Sequence, residues 1–174
     1  MTSSKPDRQK AAEIVRDAGG KIIGRTRLQK VTYLLELAGL GEGFYFEYRH
    51  YGPYSEDLAR AIDSAIAFEL VNEEELPAVW GGLYSIYTAT ERAGSRPVNL
   101  RCEFAEKAAS VGSIELELAA TAAYIAVKKR RENPWEETAL QKPEKTGDGR
   151  LERAREAYRA LRAMPTPTAL PALE

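Results

Sequence analysis

The chain has 174 residues, enough for one well-packed domain with some chain to spare. Its hydrophobic content of 44%, charged content of 29% and net charge of −1 are ordinary for a globular protein and argue against a dedicated nucleic-acid binder. One cysteine, Cys102, leaves no internal disulfide or cysteine-based zinc site, and one histidine, His50, removes any site that needs two.

The first helix is expected from about Pro6 to Ala18, with Ala11, Ile14, Val15 and Ala18 at helical spacing and Gly19-Gly20 as its stop. A short extended link, Lys21–Gly24, leads to a second helix, where Thr26 and Gln29 read as a capping box. Leu28, Val31, Leu34, Leu35 and Ala38 form its apolar stripe, and Gly39 ends it. Phe44–Tyr48 alternates as a strand does, and Tyr51-Gly-Pro-Tyr54 reads as a turn. Ser55 is an N-cap followed by Glu56 and Asp57, acids favoured in a first helical turn. Leu58, Ile62, Ile66 and Leu70 then mark an amphipathic helix. Val71–Glu75 and Leu83–Ala89 are expected to pair as a hairpin around Gly81-Gly82. Helix, link, capped helix, a third helix and a hairpin make a winged-helix order of elements, interrupted by the strand at 44–48.

The second half reads as helical. One helix is expected from Asn99 to about Val111, and another, rich in alanine and leucine, from Ser113 to about Arg131. Asn133-Pro134 opens a short helix to about Gln141, Pro143–Gly149 is a loop, and Arg150–Arg162 is a last helix carrying Leu151, Ala154, Tyr158 and Leu161. The fold class is mainly α (α+β): a winged-helix-like domain over 1–131, a C-terminal helical extension over 132–163, and a disordered tail over 164–174. No apolar run nears the roughly 20 residues that span a bilayer, and the N-terminus lacks a signal-peptide core, so a cytoplasmic location is expected.

Catalytic constellations are scarce. His50 sits among aromatics before a turn, Glu115 and Glu117 diverge by about 200° on a helix, and no glycine loop has the context that cradles phosphate. The expectation is a non-enzyme with no metal and no cofactor. Cys102 reads as a small core residue. Two features suggest recognition instead. Arg25, Arg27 and Lys30 cluster at a helix N-terminus, where the dipole attracts anions. Tyr33, His50, Tyr51 and Tyr54, with Gly52-Pro53 between them, offer rigid aromatic area of the kind enriched in protein interfaces. The dense basic run Lys128–Arg131 suits a helix C-terminus.

Gly24-Arg-Thr-Arg-Leu-Gln-Lys-Val-Thr-Tyr-Leu-Leu35 followed by Tyr51-Gly-Pro-Tyr-Ser55 resembles the bacterial YwgA-like proteins, over roughly residues 10–130. More distantly, the Leu28-Gln-Lys30 helix and the Gly52-Pro53 turn are similar to the SocA-like antitoxin domain, also called Panacea. The resemblance implies an α-rich, partly winged-helix-like domain that binds other proteins, in its most concrete form an antitoxin or phage-defence accessory neutralising a toxin or defence effector by direct contact. The long charged C-terminal extension departs from the Panacea pattern. The expected interface comprises Arg25, Arg27, Lys30, Tyr33, His50, Tyr51, Gly52, Pro53 and Tyr54, with self-association through the last helix as a further expectation. A winged-helix DNA-binding regulator is the alternative.

Overall fold

The structure, a computed structural model, describes residues 4–174. Helix α1 (Asp7–Asp17) leads to strand β1 (Lys21–Ile23) and helix α2 (Arg25–Leu37). A small hairpin of β2 (Glu47–Arg49) and β3 (Gly52–Tyr54) precedes α3 (Glu56–Ala67), then a longer hairpin of β4 (Val71–Pro77) and β5 (Leu83–Ala89). Helices α4 (Leu100–Ala109), α5 (Ser113–Tyr124), α6 (Pro134–Gln141) and α7 (Arg150–Arg162) complete a mainly helical fold. A wider π-helical stretch, Ile125–Lys129, continues α5 to Arg130, whose φ of 51° ends it.

The expected link at 21–24 is in part a strand. β1 pairs antiparallel with β5, placing Ile22 opposite Tyr87, and β5 pairs with β4, giving the order β1-β5-β4. Three residues are too few to show a period, so the sequence did not reveal this strand. The expected strand at 44–48 is corrected the other way: pairing starts only at Glu47, opposite Tyr54. Phe44 and Phe46 are buried and Tyr45 exposed, so their alternation records facing without a ladder. The Glu36 carboxylate holds this segment as a loop by accepting the amides of Glu42, Gly43 and Phe44 at 3.0, 2.8 and 3.0 Å. The expected turn at 51–54 is mostly β3, and the chain reverses one step earlier, at His50-Tyr51.

The expected cap at Ser55 is present, and Asn99 supplies a second. Ser55 Oγ accepts from Leu58 N at 3.1 Å, and Asn99 Oδ1 accepts from Cys102 N at 2.9 Å. Thr26 is not a cap: α2 opens at Gly24, in a φ of 98°, with no side chain on its first amides.

Helices α2 and α5 pack against each other at the centre, and each carries eight consecutive buried residues, 28–35 and 116–123. Ala119, Ala120, Ala122 and Ala123 lack bulk, so neighbouring elements can close on every side of α5. Helices α1 and α3 pack together, burying Ala11, Ile14 and Val15 on one and Leu58, Ala61 and Ile62 on the other. Buried Asp17 pairs with Arg16 at 2.8 Å and Arg101 at 2.9 Å, and Arg101 reaches on to Glu42 at 2.6 Å. That chain of charges ties α1, α4 and the loop after α2. Among the described residues no single helix is long and apolar enough to cross a membrane.

The C-terminal extension belongs to the same core. Helix α7 lies on α5 and buries Ala154, Tyr158 and Leu161. The tail expected to be disordered is docked: Leu170 and Leu173 are buried, Thr168 N donates to Ala38 O at 3.0 Å, and Tyr158 Oη donates to Pro171 O at 2.6 Å. Composition suggested disorder because prolines and threonines dominate, yet proline lowers the entropy lost on docking an extended chain, and the two leucines supply anchors. Leu170→Ala should therefore cost about 2–4 kcal/mol, read from the denaturant midpoint. An unchanged midpoint would show that the tail contributes nothing to the core.

Candidate protein interface

Burying all of one segment of α2 forces its polar side chains to find partners, because an unmade hydrogen bond in the interior costs about 1–3 kcal/mol. Gln29 meets this by gripping both backbone groups of Ser55, donating Nε2 to its carbonyl at 3.0 Å and accepting its amide on Oε1 at 2.8 Å. Lys30 Nζ donates to Pro53 O at 2.7 Å. Thr32 Oγ1 turns back to Leu28 O at 2.8 Å. The segment gripped is β3 and the residue after it, which fit because Gly52 takes a φ of 92° where a Cβ would collide with Thr121 Oγ1 on α5. The two sequence blocks that stood out separately are the two halves of one clamp.

Charge gathers around that clamp. Burial lowers the Lys30 pKa to about 7; Lys142 and Lys145 push the same way and Glu117 opposes them. Glu117 is itself buried on α5, and its Oε2 accepts from Lys145 at 2.7 Å and Lys142 at 3.3 Å. Lys142 also donates to His50 O at 3.2 Å, which ties the β2–β3 reversal to the chain after α6.

An open groove of about 560 Å³ lies between the outer end of the β4–β5 hairpin, the start of α2, Tyr51 and the start of α5. Ile23, Arg25, Tyr51, Glu75, Trp80 and Leu83 line it, with Ile114 and Glu117 on the α5 side. Trp80 is 73% exposed, Leu83 62% and Tyr51 53%, so three large apolar side chains border one concave surface. The hairpin turn is closed by Ala78 N donating to Gly82 O at 2.7 Å. Trp80 folds back over Gly82, at a place where any Cβ would strike its ring. Arg25 Nε donates to Tyr87 Oη at 3.4 Å, and its guanidinium stands 4.0 Å from Glu73. A second groove, of about 610 Å³, continues from the other side of Tyr51 past His50, Tyr48 and Lys145. There Lys145 and Lys129 each set an ammonium 4.7 Å from a ring, of Tyr51 and Tyr48 respectively.

The residues expected to form an interface divide into two sets. Arg25, His50 and Tyr51 are exposed and line these grooves, and Tyr54 is half-buried with Arg49 5.6 Å over its ring. Lys30, Tyr33, Gly52 and Pro53 are buried and offer no free side chain to a partner, which corrects the expectation for them. Lys30 lies inward because α5 and β3 cover the face of α2 that a one-sided stripe would leave wet. Tyr33 packs edge-on to Phe46 at 5.2 Å, and burial raises its pKa. Arg27 is committed locally, donating to Ile23 O at 2.6 Å and to Val111 O at 3.2 Å.

Trp80, Leu83 and Ile23 were missed. Their signal was legible: Val79-Trp80 beside Gly81-Gly82 places large apolar residues at a hairpin tip, where no core can reach them. Cys102 is a core residue as read, with burial raising its thiol pKa. Among the described residues no three His, Cys, Asp or Glu side chains gather as a metal site would. No family model, curated protein or solved structure matches the chain.

Two outcomes test the clamp. A lysine whose pKa falls on folding holds fewer protons in the folded state between pH 7 and its unfolded value, so Lys30 makes stability rise with pH across that window. The slope from one such proton is at most about 1.4 kcal/mol per pH unit. Lys30→Met should flatten the wild-type curve between pH 7 and 10, as measured by denaturation at several pH values. Gly52→Ala should lower stability by about 1–3 kcal/mol, and adding Thr121→Ala should restore only part, because the collision is relieved and the positive φ is not.

Proposed function

We propose that the chain is a non-enzymatic protein-binding regulator that acts by direct contact with a partner protein. The observation that carries this reading is the placement of Trp80, Tyr51 and Arg25, the residue types that dominate binding hot spots, around one open groove. Tyr51 is held on a hairpin fixed by the Gln29 and Lys30 bonds, so little entropy is lost in presenting it. The resemblance of residues 24–35 and 51–55 to YwgA-like and Panacea sequences gives the reading its most concrete form, an antitoxin-like or phage-defence accessory protein. Its partner in that case is a toxin or a defence effector.

A second reading, a winged-helix DNA-binding regulator, has one observation in its favour. The order α1-β1-α2-α3-β4-β5 with sheet order β1-β5-β4 supports a winged-helix-like architecture, with β2–β3 as an insertion before α3. The charges oppose DNA. The exposed face of α3, which would enter a major groove, carries Glu56, Asp57 and Asp63 against Arg60, and the hairpin carries Glu73–Glu75. Phosphate contact needs the reverse sign.

Affinity purification from the native host is the direct test. Trp80→Ala combined with Tyr51→Ala should abolish recovery of a protein partner while moving the melting temperature by less than about 2 °C, since both side chains are exposed. Full recovery with the double variant would place the interface elsewhere, and retention of duplex DNA at near-physiological salt would favour the second reading.

A further inference from the structure

Of the charged residues that line the groove, Glu75 alone has no ion pair among the described residues. Arg25 is turned toward Tyr87 and Glu73, Arg27 is spent on two carbonyls, and Lys30 is buried. Glu117 is matched by Lys142 and Lys145. Glu75 lines the groove, is exposed, and makes no ion pair among the described residues. In the β4–β5 register Glu75 stands opposite Ser85 and Pro77 opposite Leu83. Directly opposed residues share a sheet face, as do residues two apart on one strand, so Glu75 and Leu83 look the same way. The surface is therefore an apolar platform of Trp80 and Leu83 with one unpaired carboxylate beside it, while Ile23, opposite Ile86, belongs to the other sheet face.

Resting on the reading of this groove as a protein interface, we propose that its occupant is a basic segment of the partner, with an apolar side chain seated against Trp80 and Leu83 and a lysine or arginine facing Glu75. Such a segment buries the exposed apolar area and supplies the missing positive charge in one step. An acidic segment or a phosphate backbone would bring its charge against Glu75 and Glu73, and like charges brought together under partial desolvation weaken binding. The polarity differs from the one the cations at the start of α2 suggested from sequence, because Arg27 and Lys30 are taken up inside the fold and exposed Arg25 leans toward Glu73, while the hairpin's Glu75 has no cation.

The test uses a randomised peptide library displayed on phage and panned on the intact protein. The selected peptides are then synthesised and titrated against wild type, Trp80→Ala, Glu75→Gln and Glu75→Lys by fluorescence polarisation. Circular dichroism of each variant, all at exposed positions, confirms the fold. Enriched peptides should carry lysine or arginine within two residues of a large apolar side chain. Trp80→Ala and Glu75→Lys should each weaken binding by at least about tenfold, Glu75→Gln by less, and the Glu75→Lys effect should shrink as salt rises. Trp80-dependent peptides that are acidic, or that bind Glu75→Lys as well as wild type, overturn the basic occupant while leaving the groove an interface. Peptides indifferent to both positions, or no enrichment at all, overturn the proposal together with the reading it rests on. A dimer in light scattering that Trp80→Ala abolishes makes a second copy the occupant, and Trp80-dependent binding of a labelled oligonucleotide makes it nucleic acid; either result overturns the proposal.

Discussion

A helix sheathed on every side that still carries Gln29, Lys30 and Thr32 is the constraint on which the rest of this structure depends. The backbone from Pro53 to Ser55 meets two of these three side chains, and Thr32 turns back to Leu28 O on its own helix. That requirement fixes where β3 lies and where α3 begins, since Ser55 is at once the residue gripped by Gln29 and the N-cap of α3. It also draws α5 close, because Thr121 packs where Gly52 has no side chain. Local hydrogen-bond satisfaction thus sets long-range geometry: the same few bonds orient the aromatic reversal at His50-Tyr51 that borders both grooves.

The helices and the main hairpin were legible because amphipathic periods and an N-cap are local signals. Ser55 caps as its position suggested, and Leu58 and Ile62 are buried as their spacing required. What escaped was decided by tertiary contact. Gln29 looked like half of a capping box with Thr26 and instead closes on a residue 26 positions away. Lys30 looked wet because its side of α2 has few large aliphatic residues, and the small residues of α5 removed the space for water. The tail looked disordered by composition, but two leucines sufficed to hold it. The residues expected to form an interface divided along the same line: Arg25 and Tyr51 stayed at the surface, whereas Tyr33 and Lys30 were drawn into the packing.

The Leu28-Gln-Lys30 and Gly52–Ser55 blocks are recognisable in sequence for a structural reason. A bidentate amide, a buried lysine amine and a glycine in a positive φ have few substitutes, so these positions report how the chain is folded. They say little about what it binds. The exposed apolar residues of the proposed contact surface, Trp80 and Leu83, are held by no such network. A scaffold specified by buried bonds and a surface specified by exposed apolar atoms are chemically distinct in this chain, and they meet at Tyr51 and Glu117.

The depressed basicity of Lys30 has a chemical corollary. Near neutral pH a good part of the buried Lys30 amine is unprotonated, and an unprotonated amine is a nucleophile. Burial at 1% exposure keeps reagents from it in the closed form. Opening that wets this nitrogen also restores its ordinary basicity, so acylation at alkaline pH waits on the β2–β3 hairpin lifting away from α2, and its labelling kinetics amount to a built-in clock for the opening of the fold at its central seam.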